Sequence, residues 1–137
     1  MPVMKRRRLL SVVAACATIA GCPEREINPT LRLCNKTAES VVLDITVFID
    51  EPGPETQREP FYTETVSVGG TTTTEELEVF TRREQYDVII EVDDRDVQFD
   101  TRPICPDSLT EVIVTEAGAL RYEVEFCDGV RRTGTAT

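Results

Sequence analysis

Every second residue of segment 41–49 is Val, Leu or Ile, with Asp44 and Thr46 among the residues between them. A period of two is typical of a strand that buries one face and exposes the other. The segment therefore predicts a long, central strand, which ends at the prolines and glycine of 51–54. No stretch downstream of residue 22 sustains the period of an amphipathic helix.

The same alternation recurs at short intervals along the rest of the chain. It marks segments 61–68, 86–92, 97–99, 109–115 and 120–126, and a short segment at 77–79 that we expect at a sheet edge. Turn residues separate several of them, as at Asp93-Asp94 and Ala117-Gly118. The pattern predicts an all-β fold, an antiparallel β-sandwich of seven or eight strands over residues 31–128. Residues 129–137 are predicted to be a disordered tail. The less favoured alternative is that Arg131 and Arg132 in this tail contact an acidic partner.

Part of this region has a family likeness. The segment from Asn35 to Val92 resembles the immunoglobulin-like domains of archaeal and bacterial surface proteins. The likeness rests on the long strand after Asn35-Lys36-Thr37, on Val66-Ser67-Val68-Gly69-Gly70 followed by threonines, and on the Tyr-x-Val-x-Ile pattern at 86–90. It implies an immunoglobulin-like sandwich without the Cys…Trp…Cys core of antibody domains, because the chain has no tryptophan.

The first 22 residues have the layout of an export signal. A basic start at 5–8 precedes a short apolar run, 9–20, which is shorter than the roughly 20 residues that cross a bilayer. The tetrapeptide Ile19-Ala20-Gly21-Cys22 resembles a bacterial-type lipobox. This resemblance implies removal of signal peptide 1–21 and a lipid on Cys22 that anchors the protein at the outer face of the cell membrane. An ordinary signal peptide that is cut elsewhere, with Cys22 as a plain thiol, remains the alternative.

A short tether is predicted to follow the lipidated cysteine, over residues 22–30, because the segment is polar and contains two prolines. The arginines before the apolar run also resemble, loosely, a twin-arginine export signal. Both export routes therefore remain open.

The predicted mature chain is strongly acidic. The whole chain has 15 Lys+Arg and 25 Asp+Glu, and the removed signal contains four basic and no acidic residues, which leaves a net charge of −14. Such a charge excludes nucleic acid as a partner, because phosphates would repel it. Lys36 is the only lysine left, and threonine is abundant. This composition is similar to that of proteins from extremely halophilic archaea, in which salt screens the repulsion between carboxylates.

The absence of histidine limits the chemistry available to the chain. Histidine is the commonest general base and metal ligand, so triads of the Ser-His-Asp or Cys-His type and mixed His/Cys zinc sites are excluded. Catalysis would need a pair of carboxyl groups in a cleft, one of them with a raised pKa. We therefore predict no enzyme and no cofactor, but a binding or structural module at the cell surface with a surface protein or glycan as partner.

The cysteines of the mature chain suggest one disulfide. A hairpin that turns at Ala117-Gly118 places Cys105 near Cys127 at its open end, and an oxidising exterior permits the bridge. Cys34 is then left as a buried, small apolar residue or as a partner in a different bridge. A catalytic role for Cys34 is disfavoured, because no histidine is present to activate its thiol.

Two further sites are candidates. Asn35-Lys36-Thr37 fits the N-glycosylation sequon, with a plain polar turn as the alternative. Glu91, Asp93, Asp94 and Asp96 cluster at a predicted hairpin tip and form a weak candidate for calcium, which prefers several oxygen ligands. Their spacing does not match an EF-hand loop, and a solvated turn is the simpler interpretation. Binding of calcium or a small solute by such acidic loops is the alternative to the surface module.

Overall fold

A computed structural model describes residues 27–50 and 58–136. Within these ranges the chain forms nine strands and no helix, so the all-β prediction is confirmed. The strands are β1 (Thr30–Asn35), β2 (Val41–Ile49), β3 (Tyr62–Val68), β4 (Thr73–Glu78), β5 (Tyr86–Val92), β6 (Arg95–Thr101), β7 (Leu109–Val114), β8 (Leu120–Glu125) and β9 (Arg131–Ala136). The predicted signal peptide, Cys22 and the strand break at 51–54 lie outside the described residues. No helix of the described chain is long and apolar enough to cross a membrane.

Two sheets form the sandwich. One has the order β4-β1-β7-β8-β9 and the other the order β3-β2-β5-β6. The predicted central strand, β2, indeed lies inside its sheet, and the short segment at 77–79 contributes to the edge strand β4. Neighbouring strands are antiparallel except β1 and β7, which run parallel with Leu33 opposite Val112. The immunoglobulin-like form of the sandwich stays a prediction.

The inward faces of both sheets form one core. Its fully buried side chains are Leu31, Leu33, Leu43, Ile45, Val47, Val68, Val79, Phe80, Tyr86, Val88, Ile90, Val112 and Leu120. Phe99 of β6 stacks on Tyr122 of β8, with ring centroids 4.4 Å apart, and so joins the two sheets. The buried hydroxyls of Thr101 and Thr110 satisfy each other across the sheets at 2.6 Å, which avoids the cost of an unpaired polar group.

The C-terminal residues correct one prediction. Arg131–Ala136 form β9, which pairs with β8 from Leu120↔Ala136 to Glu125↔Arg131, and not a disordered tail. This strand also raises the number of strands above the seven or eight expected. The polar, threonine-rich sequence of β9 lacks the apolar alternation that predicts a strand. β9 is an edge strand that is ordered by its pairing with β8.

One end of the sandwich gathers the N-terminal entry of the chain and three loops. The pairings Thr30↔Glu78, Tyr86↔Thr101 and Leu109↔Glu125 bring residues 27–29, 79–85, 102–108 and 126–130 together, and we call them the entry end. The end of the predicted tether is fastened there, because the Asn28 backbone N–H donates to the Pro103 carbonyl and its side-chain amide to the Ser108 carbonyl. The folded domain therefore begins before residue 31.

Candidate functional site

A groove of about 570 Å³ opens at the entry end. It lies where β6, an edge of one sheet, packs against β8 and β9 of the other. Its lining comes from three separate stretches of chain: Gln85; Asp100, Arg102 and Ile104; and Phe126, Cys127, Asp128, Val130 and Arg132. A volume of this size is in the range of about 300–1,000 Å³ found for small-molecule sites.

A disulfide fastens the two walls of this groove together. Cys105 lies in the loop after β6, Cys127 lies in the β8–β9 turn, and their Cα atoms are 5.8 Å apart. The predicted Cys105–Cys127 pair is therefore confirmed. Cys34 is free and buried, in agreement with its prediction as a buried, small apolar residue. Because the bridge closes a 22-residue separation at the groove, it limits how far the two walls can part.

Two arginines of the groove retain hydrogen-bonding capacity. Arg102 donates to the side-chain oxygen of Gln85 at 2.8 Å. The Arg132 guanidinium lies over the Phe126 ring, 5.4 Å from its centroid, which occupies a face of the group but not its N–H edge. Among the described residues, neither arginine forms a salt bridge with a carboxylate. Both guanidiniums can therefore bind an anion.

A pair of carboxyl groups borders the groove. Asp87 of β5 and Asp100 of β6 are directly opposite in the register. Their shared hydrogen bond, together with partial desolvation and the charges of Asp87 and Asp50, raises the pKa of Asp100 to about 6 against the opposing effect of the Arg132 charge. The same hydrogen bond lowers the pKa of Asp87, and the salt bridge from Arg58, 2.7 Å away, also favours its charged form. The pair therefore holds a proton on Asp100 at mildly acidic pH.

The Asn35 sequon lies in the interior of the folded chain. Asn35 is fully buried, and its side-chain nitrogen, the atom that would bear the sugar, donates to the carbonyls of Glu39, Val68 and Gly69. Its side-chain oxygen accepts from the backbone N–H and the hydroxyl of Thr37. This burial disfavours the candidate glycosylation in the folded state and agrees with the alternative of a polar turn. A sequon pattern identifies residue types but carries no information about burial.

The acidic hairpin tip lies on an exposed surface. Asp93 and Asp94 occupy the β5–β6 turn as predicted, and Glu91 pairs with Asp96 across the strands. All four side chains are exposed, and Asp93 forms a salt bridge with Arg95 at 3.7 Å. No group of three or more ligand residues in the described chain could hold a metal ion. The exposure of its carboxylates agrees with the simpler interpretation of a solvated turn.

Sequence reasoning missed the groove. Its residues are separated in the chain by up to 47 positions, from Gln85 to Arg132, and no motif connects them. The only available signal was the arginine pair at 131–132, which we noted as a minor contact site within a tail. No protein-family model, curated protein or solved structure matches the chain.

Proposed function

We propose that this protein is a lipid-anchored, extracytoplasmic β-sandwich that binds a ligand in the entry-end groove without catalysis. The observation that carries the proposal is the Cys105–Cys127 disulfide beside the groove. Disulfides form and persist in oxidising compartments, and they are rare where thiols are kept reduced. The bridge thus supports the export that the N-terminal sequence indicates, and it stabilises the surface on which we place binding.

The route of the chain supports a position of the groove near the membrane. Asn28, which is bound to the 102–108 loop, follows Cys22 by six positions. A fully extended segment of this length spans about 20 Å. A lipid on Cys22 would therefore keep the entry end, and not the acidic tip at 93–94, close to the membrane surface. A ligand or partner at that surface is within reach of the groove.

Binding is favoured over catalysis by the state of the carboxyl pair. Asp100 has the raised pKa that an acid catalyst needs, and it lines the groove. However, its side chain is exposed, and Asp87 is already engaged by Arg58 and by Asp100 itself. The lowered pKa of Asp87 makes its carboxylate a weaker base than an unpaired one. The acidic surface serves solubility in concentrated salt, where its self-repulsion is screened.

The intact mass of the protein extracted from the membrane of its own host tests this proposal. We expect a species that begins at Cys22, carries added lipid mass and gains two hydrogens on reduction. A Cys22→Ser variant should lose the lipid and leave the membrane fraction, whereas Cys34→Ser should keep both properties. An unmodified species that retains Met1, with all thiols free, would overturn the export, the anchor and the surface function together.

A further inference from the structure

We propose that the groove binds a monocarboxylate with an apolar body. Arg102 and Arg132 hold the carboxylate, and the body packs on the apolar wall, which consists of Ile104, Phe126 and Val130. This inference deepens the proposed binding function by assigning the chemical class of the ligand.

The arginines supply the charge complementarity. Arginine presents a planar fork of N–H groups that matches a carboxylate, and such charge-assisted bonds are about twice as strong as neutral ones. Arg102 is oriented by its bond to Gln85, and Arg132 by its position over Phe126. Each guanidinium is thus positioned before a ligand arrives, which reduces the entropy lost on binding.

The apolar wall supplies the second half of the recognition. Val130 is 51% exposed, and Val42 is the only other large hydrophobic residue exposed to this degree in the described chain. Phe126 offers an aromatic ring and Ile104 an aliphatic side chain in the same groove. Apolar surface beside two guanidiniums that form no salt bridge within the described chain fits a ligand that is anionic at one end and apolar along its body.

The acidic residues of the groove favour a single negative charge. Asp100 and Asp128 also line it and would repel a dianion such as a phosphate monoester more strongly than a monoanion. A cation is opposed by the two arginines. Because the pKa of Asp100 is raised to about 6, its repulsion of a carboxylate weakens at mildly acidic pH.

Calorimetric titration at pH 5.5 of the protein purified from its host, with its disulfide intact, tests the inference. N-acetylphenylalanine represents a peptide C-terminus, octanoate represents an aliphatic acid, and N-acetylphenylalanine amide is the uncharged control. We expect saturable binding of at least one acid and binding at least about tenfold weaker for the amide. Binding of N-acetylphenylalanine but not octanoate would assign a peptide terminus, and the reverse would assign an aliphatic acid. Both outcomes support the inference.

Matched variants locate the binding site. We expect Arg102→Gln and Arg132→Gln each to weaken binding of the acid about tenfold, or about 1.4 kcal/mol, because each substitution removes a charge-assisted hydrogen bond. Arg121→Gln is the control, because Arg121 pairs with Glu123 on β8 and does not line the groove. Failure of both acids to bind, equal binding of the amide, or equal loss in Arg121→Gln would overturn the inference. Each of these results is independent of the state of Cys22, so the mass measurement still tests the proposed anchor separately.

Discussion

The amide of Asn35 fastens the β1–β2 turn to the β3–β4 turn, and Asn35→Asp tests how much stability depends on it. Asn35 donates to Val68 and Gly69 at 3.1 Å and to Glu39 at 2.7 Å. An aspartate has nearly the same shape but, when ionised, donates no hydrogen bond. The substitution therefore places a carboxylate against three backbone carbonyl oxygens and removes the amide N–H groups that donate to them.

The magnitude follows from the number of acceptors that stay buried. Val68 is fully buried, and a buried acceptor without a partner costs about 1–3 kcal/mol. With Gly69 counted as a second acceptor, we expect Asn35→Asp to lose about 3 kcal/mol at pH 8, a large part of the roughly 5–15 kcal/mol of a typical domain. The melting temperature should fall by roughly 12 °C for a domain of this size. Part of the loss should be recovered at pH 4, because a protonated carboxyl can donate one hydrogen bond.

Urea denaturation at pH 8 and pH 4 measures these values. Gln98→Glu is the matched control, since it makes the same change from amide to acid at an exposed position of β6. It should change the unfolding free energy by less than about 0.5 kcal/mol. If Asn35→Asp loses under 1 kcal/mol at pH 8, or loses no more than Gln98→Glu, the argued role of the Asn35 hydrogen bonds is refuted.

Three other predictions concern stability. The pKa of Asp100 is raised to about 6, above the value of about 3.9 in an unfolded chain, so the folded state binds more protons between these two pH values. The free energy of unfolding should therefore fall as the pH rises from about 4 to 6. Asp100→Asn should flatten this slope in urea titrations, and an unchanged slope would contradict the assignment. Replacement of both Cys105 and Cys127 by serine should cost about 3 kcal/mol in the chain-entropy model, and a loss below 1 kcal/mol would mean that the walls are held by packing instead. A Cβ on Gly70 would lie 2.6 Å from the Ala38 carbonyl oxygen, so Gly70→Ala should lower the stability measured in thermal melts by about 1–3 kcal/mol. Gly69→Ala is the control and should change the stability little, because the nearest atom to its Cβ would be 3.6 Å away. Equal effects of the two substitutions would reject the steric argument.

Local patterns predicted the sheet elements where one face is buried. The alternation at 41–49 identified β2 because every second residue points toward the core, with Leu43, Ile45 and Val47 at most 1% exposed, although Val42 on the opposite face is exposed. The turn at 117–118 also led to the disulfide, because an antiparallel hairpin fixes which residues lie opposite one another. The same reasoning did not predict β9, because its residues are mostly exposed and it is held as a strand by pairing with β8.

Local patterns failed where the identity of a residue was taken as its role. Asn35 matches a sequon, yet the fold buries it and uses every polar atom of its side chain internally. The acids at 91–96 are close in sequence, but the hairpin exposes them instead of turning them toward one point. Proximity in sequence does not by itself make a metal site, because even the directly opposed pair Glu91 and Asp96 is exposed.

The sequence by itself determined the all-β class, the main strands and the net negative charge, and it carries the pattern from which an export signal is predicted, because composition and periodicity are local properties. Tertiary structure alone decided that Gln85, Arg102 and Arg132 share a groove, that Asp100 lies opposite Asp87, and that the chain enters beside them. These juxtapositions depend on how two sheets stack and which edges meet. That arrangement is set by the sum of many packing contacts across the core and by no single motif.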